Sequence, residues 1–221
     1  MAHRCSSLNW KFERTLRLPD STLVAGVDEV GRGCWAGPVF AAAAILPDGL
    51  GHRRLNDSKQ VSREHRAELN DFLCGHAEVR WSIGIASVEE IDTHNILQAS
   101  LLAMRRAVAG LSEQPHLCLV DGNKKAGLAC AERTIVDGDA RCPSIAAASV
   151  IAKVARDRTM AELAALYPAY GLENHKGYGT PEHARALALH GPCPIHRQSF
   201  RPVREHARAE AGLSPGDRRL R

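Results

Sequence analysis

Gly26-Val27-Asp28-Glu29-Val30-Gly31-Arg32-Gly33-Cys34-Trp35-Ala36-Gly37-Pro38-Val39 concentrates more unusual residues in fewer positions than any other part of the chain. The apolar run before it predicts a buried strand over 22–28. The Val-, Ala- and Ile-rich run after it predicts a second strand over 38–46, returning across a tight glycine-rich turn. Two adjacent carboxylates, Asp28 and Glu29, close the first strand. Acids are depleted in strands, and burying their charge is costly unless something offsets it. A divalent cation is one such offset, because Mg²⁺ takes oxygen ligands from carboxylates, water and phosphate. A plainer reading is a strand that stops at two acids and turns on glycines.

The same pattern of apolar strands and periodic helices continues outward. Strands are expected at 79–86, 116–120 and 133–136. Helices are expected at 62–76 with Ser62 as cap, and from Ser87 with Glu90 at capping-box spacing. A longer helix at 95–110 has Leu97, Leu101, Met104 and Val108 at helical spacing, where a methionine is packing rather than a ligand. Another runs over 143–167 with Ser144 as cap, and the last over 181–190 opens on Pro181. Strands alternating with helices make this an α/β chain, and the tight first turn makes its sheet mixed. We expect a lead-in or short helix at 1–20, a sheet domain at 21–167, a small helical C-terminal appendage at 168–203 and a frayed tail at 204–221.

The chain has 221 residues, a net charge of +4 and 44% hydrophobic residues, which suits one soluble domain with an appendage. No apolar run is long enough to span a membrane, and the N-terminus is not an apolar signal core. The seven cysteines are odd in number and scattered, as expected of free thiols in the cytoplasm, and the eleven histidines form no ligand pair. A monomer is expected. The mild positive charge permits a polyanionic partner without demanding one. Its cations recur beside the glycine-rich loop, at Asp57-Ser58-Lys59 and at His175-Lys176, a placement that suits phosphate contacts as well as ordinary surface charge.

Three expected strands end in acids: Asp28-Glu29, Asp121, and Asp139 after Asp137. Sites in α/β sheets assemble at strand ends and the loops beyond them. Carboxylates converging there would repel unless cations neutralised them. Two Mg²⁺ ions roughly 3.5–4 Å apart would do so and would drive in-line attack of water on a phosphodiester. Each acid alone also reads as a simple strand-terminating residue.

Ordered blocks of sequence carry a more specific reading. The opening stretch, then Asp57-Ser58-Lys59, Val120-Asp121-Gly122-Asn123, the 144–158 run, His175-Lys176-Gly177-Tyr178-Gly179-Thr180 and His196-Arg197-Gln198-Ser199-Phe200 together resemble the bacterial ribonuclease HII family from about residue 23 to 203. The resemblance implies an RNase H-like mixed β-sheet flanked by helices. It implies an endoribonuclease, dependent on Mg²⁺ or Mn²⁺, that cuts the RNA strand of RNA–DNA hybrids. It also implies nicking 5′ of single ribonucleotides in duplex DNA, leaving a 3′-hydroxyl and a 5′-phosphate, a DNA-repair role in removing misincorporated ribonucleotides.

By the same resemblance the metal-holding, catalytic acids are Asp28, Glu29, Asp121 and Asp139, with Asp137 and Asp157 as competitors for the fourth place. The Gly31-Arg32-Gly33 loop is expected to read the 2′-hydroxyl, which both donates and accepts hydrogen bonds. Tyr178 is expected against the next sugar, and Arg32, Lys59 and Lys176 against phosphates. Ser149 and Lys153 share a helix face. Cys34-Trp35 departs from the family's usual Pro-Leu and makes the flank of the loop bulkier. The competing readings are a type 1-like ribonuclease H that needs several ribonucleotides, and a non-catalytic hybrid-binding protein.

Overall fold

The structure, a computed structural model, describes residues 8, 10–16, 23–50 and 62–211. A short helix, α1 (Trp10–Leu16), precedes β1 (Val24–Val30) and β2 (Val39–Ile45). Then come α2 (Arg63–Gly75), β3 (Arg80–Ala86), α3 (Val88–His94) and α4 (Ile96–Ala109). β4 (Leu117–Asp121) and β5 (Ala131–Ile135) complete the sheet before the long α5 (Pro143–Leu166). α6 (Leu172–His175), α7 (Pro181–His190) and α8 (Arg201–Ala211) follow.

The five strands lie in the order β3-β2-β1-β4-β5. β1 is antiparallel to β2 and parallel to β4, so the sheet is mixed as expected. β1 and β4 run side by side in a register that pairs Val27 with Val120. The next residues along these strands, Asp28 and Asp121, therefore lie next to each other just beyond the end of the β1–β4 ladder. Topology alone accounts for that meeting of residues far apart in the chain.

Small residues let helices approach both faces closely. β2 is buried along its whole length, and Ala41, Ala42, Ala43 and Ala44 are inaccessible to solvent. Ala41 and Ala43 pack with Ala99, Ala103 and Met104 of α4, whereas Ala42 and Ala44 pack with Ala147, Ala148 and Ile151 of α5. Gly26 lies so close to α5 that any β-carbon there would collide with the backbone of Ser144 and Ile145. That contact seats the first turns of α5 against β1 and brings Ser149 to Asp28.

Ser62 caps α2, and the capping box at Ser87 and Glu90 is formed. Three other local expectations change. β1 does not stop at Asp28 but runs on to Val30, which pairs with Phe40, so both acids sit inside the strand. Ser144 is not the cap of α5. Its amide and hydroxyl both donate to Oε2 of Glu13, a buried carboxylate supplied by α1. The tail expected to fray from residue 204 is helical as far as residue 211, in α8. Val203 anchors that helix in the cluster built on Met160, Leu172 and Leu187, and Arg201 pairs with Glu205 one turn on.

Candidate active site

Period-two alternation sends the two acids of β1 to opposite sides of the sheet. Asp28 shares the α5 side with Gly26 and is almost fully buried. Its Oδ1 accepts the Glu29 amide at 2.7 Å, and Ser149 on α5 donates to its carboxylate. Burial, the Glu29 charge and the Asp121 charge push the Asp28 carboxyl well above its ordinary value, and the Ser149 bond opposes them. Glu29 lines a cavity on the α4 side with Arg32, Ser100, Asp121, Asn123 and Lys124. Burial raises its carboxyl too, against a 3.0 Å ion pair with Arg32.

Asp121 ends β4. Its Oδ1 accepts the Gly138 amide at 2.7 Å, and the Asp139 and Gly122 amides also bond to it. Burial raises its carboxyl, and the charge of Asp139 adds to the effect. Asp139 sits on a single 3-10 turn, Gly138–Ala140, and is buried, whereas Asp137 is exposed with a left-handed backbone at φ 53°. Asp157 stands apart on α5, where it pairs with Lys153 at 2.7 Å. The fold thus gathers Asp28, Glu29, Asp121 and Asp139 about the ends of two adjacent strands.

Among the described residues no three His, Cys, Asp or Glu side chains are drawn close enough to enclose a metal unaided. The donor set is nevertheless all carboxylate, hard oxygen without histidine or thiolate. That is the chemistry of Mg²⁺ and Mn²⁺ sites, in which water and substrate phosphate complete the coordination. Raised carboxyls that repel one another are also the groups a cation would relieve. The residues present fit such an ion.

The glycine loop leaves β1 directly beyond the acids. Gly31 has φ 95° and lies against Arg156, and Arg32 and Gly33 are exposed. Two fully buried arginines hold the loop and its surroundings. Arg156 donates to the carbonyls of Ala36, Pro38 and Lys176, and Arg197 to those of Gly31, Arg32 and Gly37. Sequence reasoning gave neither arginine a role. Both lie in blocks quoted for the resemblance, but nothing local says that an arginine will be buried against carbonyls more than a hundred residues away.

Tyr178 is 41% exposed beside this loop. Cys34 bridges to it in a short antiparallel contact, and the Tyr178 hydroxyl and Cys34 thiol share a hydrogen bond. Trp35 packs over Gly179 so tightly that a β-carbon there would strike its ring. The bulky Cys34-Trp35 flank therefore seats the tyrosine turn. Behind it, His183 and His196 share a 3.0 Å Nε2–Nε2 hydrogen bond. The Nδ1 of His183 lies 3.0 Å from the Tyr178 carbonyl. The Lys176 ammonium donates to the Glu173 carbonyl, and Lys153 lies 6.0 Å from the Tyr178 ring. Lys59, with Asp57 and Ser58, lies outside the described residues.

Residues 25–203 match the family model for ribonuclease HII. The chain is 55% identical to ribonuclease HII of Parvibaculum lavamentivorans, over 94% of this chain and 74% of that protein. It is 50% identical to ribonuclease HII of Bordetella pertussis, over 85% of this chain and 93% of that one. Its fold is similar to the crystal structure of ribonuclease H2 from Pyrococcus horikoshii, with a TM-score of 0.74 and 26% identity over 87% of this chain and all of that chain. No helix among the described residues is long and apolar enough to cross a membrane. The carboxylates at paired strand ends, the glycine loop beside them and these likenesses lead to one conclusion: the chain belongs to the ribonuclease HII family, enzymes that cleave the RNA of RNA–DNA hybrids.

Proposed function

We propose that this enzyme nicks duplex DNA on the 5′ side of single embedded ribonucleotides, as well as cutting longer RNA tracts in hybrids, and so serves the removal of misincorporated ribonucleotides in the cytoplasm. The observation that carries this reading is the adjacency of the acids of β1 to the Gly31-Arg32-Gly33 loop. Chemistry and ribose recognition are then separated by no more than a strand end.

Asp28, Glu29, Asp121 and Asp139 would hold the divalent ions, Mg²⁺ or Mn²⁺. When bound, two such ions lower the pKa of the attacking water and stabilise the leaving 3′-oxygen. Ser149 keeps the Asp28 carboxylate turned toward α5, and the amides at 138 and 139 orient Asp121. Glycines at 31 and 33 let backbone groups approach the ribose, whose 2′-hydroxyl distinguishes it from deoxyribose. Tyr178 offers an exposed ring to the following sugar. Arg32, paired with Glu29 in this structure, would be available to a substrate phosphate with Glu29 engaged in holding a cation. Lys59 and Lys176 complete the phosphate contacts.

The test is incubation of a duplex containing one ribonucleotide with Mg²⁺, with Mn²⁺ and with a chelator. A single nick 5′ of the ribonucleotide that depends on the metal is expected. Cleavage of RNA tracts only would replace this reading with a type 1-like specificity, and binding without cleavage would make the chain a hybrid-binding protein.

A further inference from the structure

Arg197 lies in the segment between α7 and α8, 160 to 166 residues from the carbonyls it touches, and is inaccessible to solvent. Its Nη2 donates to the Gly31 carbonyl at 2.7 Å, its Nη1 to the Arg32 carbonyl at 2.9 Å and its Nε to the Gly37 carbonyl at 2.9 Å. One planar group thus holds three carbonyls of a single loop in fixed directions. Burial, and in lesser measure the charge of Arg156, pull its pKa down to about 10, and Asp92 offsets part of that cost. Asp92, on α3, accepts the Gln198 and Ser199 amides and the Ser199 hydroxyl, which clamps the turn that carries the arginine.

The direction of those carbonyls has a consequence for the opposite edge of each peptide. All described peptides are trans, so within each plane the N–H points away from the C=O. With the Gly31 and Arg32 carbonyls drawn inward to Arg197, the amides of Arg32 and Gly33 turn outward. Both residues are exposed, and a β-carbon at Gly33 would meet nothing within 4 Å.

We propose that Arg197 is a positioning residue for ribose discrimination: by pinning the Gly31 and Arg32 carbonyls it aims the Arg32 and Gly33 amides at the ribose 2′-oxygen, and Asp92 holds it in place. This rests on the reading of the 31–33 loop as the ribose reader. Lysine has a single ammonium and cannot span three carbonyls, so Arg197→Lys keeps the charge and loses the geometry.

The experiment measures nicking at a ribonucleotide and at a 2′-fluoro-2′-deoxyribonucleotide in the same duplex, for the full chain and for Arg197→Lys and Asp92→Ala, below each melting temperature. Fluorine accepts hydrogen bonds poorly, and the ratio of the two rates is independent of the fraction of active enzyme. Wild type should favour the ribonucleotide strongly. The ratio should fall at least about tenfold in Arg197→Lys and about threefold in Asp92→Ala. An unchanged ratio in folded Arg197→Lys overturns the proposal. If that variant does not fold, an unchanged ratio in Asp92→Ala does so. Wild type that nicks at neither residue overturns the reading of the loop, and the role of Arg197 falls with it.

Discussion

The Gly138 amide donates to Oδ1 of Asp121 at 2.7 Å and, with the Asp139 amide, ties the turn carrying Asp139 to the end of β4. This tie separates the three candidates for the fourth acid by position. Asp139 is buried beside Asp121 and adds its charge to it, Asp137 faces solvent, and Asp157 is engaged by Lys153. Given the metal-holding role proposed for it, Asp139→Asn should lower metal-dependent nicking roughly a hundredfold, at least the cost of losing a group that supports a metal ligand. Asp157→Asn, which removes a partly buried i, i+4 ion pair within α5, should stay within about tenfold of wild type. Steady-state rates with Mg²⁺ decide it, and the opposite ranking would give the role to Asp157.

The two glycines of the loop should behave differently. Gly31 has φ 95°, and a β-carbon there would run into the Arg156 side chain. Gly31→Ala should cost about 2–4 kcal/mol of stability, from backbone strain and overpacking together. At Gly33 nothing lies within 4 Å, and its backbone is not in the left-handed region. Gly33→Ala should change stability by no more than about 0.5 kcal/mol. A methyl group on the face where the sugar approaches should still cut nicking at a single ribonucleotide at least about tenfold. Paired denaturant melts and rate measurements check both. A fully active Gly33→Ala enzyme would show that the sugar does not approach that face.

What the sequence made legible follows from how local each signal is. The capping box at Ser87 and Glu90 and the cap at Ser62 were readable because the partners lie three residues apart. The acids of β1 were readable as unusual residues in an apolar run, and motif resemblance grouped them with Asp121 and Asp139. Strand ends blurred: β1 carries its acids inside the ladder because pairing with β2 continues to Val30. The supports of the site were not legible, because their partners are distant. Arg197 reaches Gly31 from 166 residues away, and behind Tyr178 a histidine on α7 meets one in the segment beyond that helix. An arginine or histidine in a loop reads as surface until the fold closes over it.

Glu13 illustrates the same point and is testable by itself. It is almost fully buried, and its Oε2 accepts both the amide and the hydroxyl of Ser144 at 3.0 Å, so α1 caps the helix that supports β1. Glu13→Ala leaves two buried donors without that acceptor and should cost about 2–3 kcal/mol. Chemical denaturation reads the loss. Nicking below the melting temperature should change little, since Glu13 touches no proposed ligand. A stability within about 0.5 kcal/mol of wild type would mean that α1 is dispensable to α5.

The histidine pair sets a pH limit whose sign can be worked out. The Cys193 amide donates to Nδ1 of His196 at 3.0 Å, closer than the Cys193 carbonyl at 3.3 Å, which leaves the proton on Nε2 to be donated to Nε2 of His183. His183 then gives its Nδ1 proton to the Tyr178 carbonyl. Both rings are neutral in this chain of bonds, and burial, with His183 alongside, pulls His196 down to about 4. An unfolded histidine titrates near 6.5. As pH falls through about 6.5 toward 4, the unfolded chain binds a proton that the folded one refuses. The stability linked to His196 is therefore intact above about pH 6.5, declines through that window by roughly 3 kcal/mol, and changes no further below it. The raised carboxyls of Asp28, Glu29 and Asp121 act in the opposite sense, because the folded chain takes up their protons first. The comparison must therefore be between wild type and His196→Gln, which retains an amide donor near Nε2 but cannot be protonated. Denaturant midpoints of the two proteins at pH 7.5, 6 and 5 should show wild type losing ground to the variant on acidification. Parallel curves would mean that His196 is protonated in the folded chain as readily as in the unfolded one.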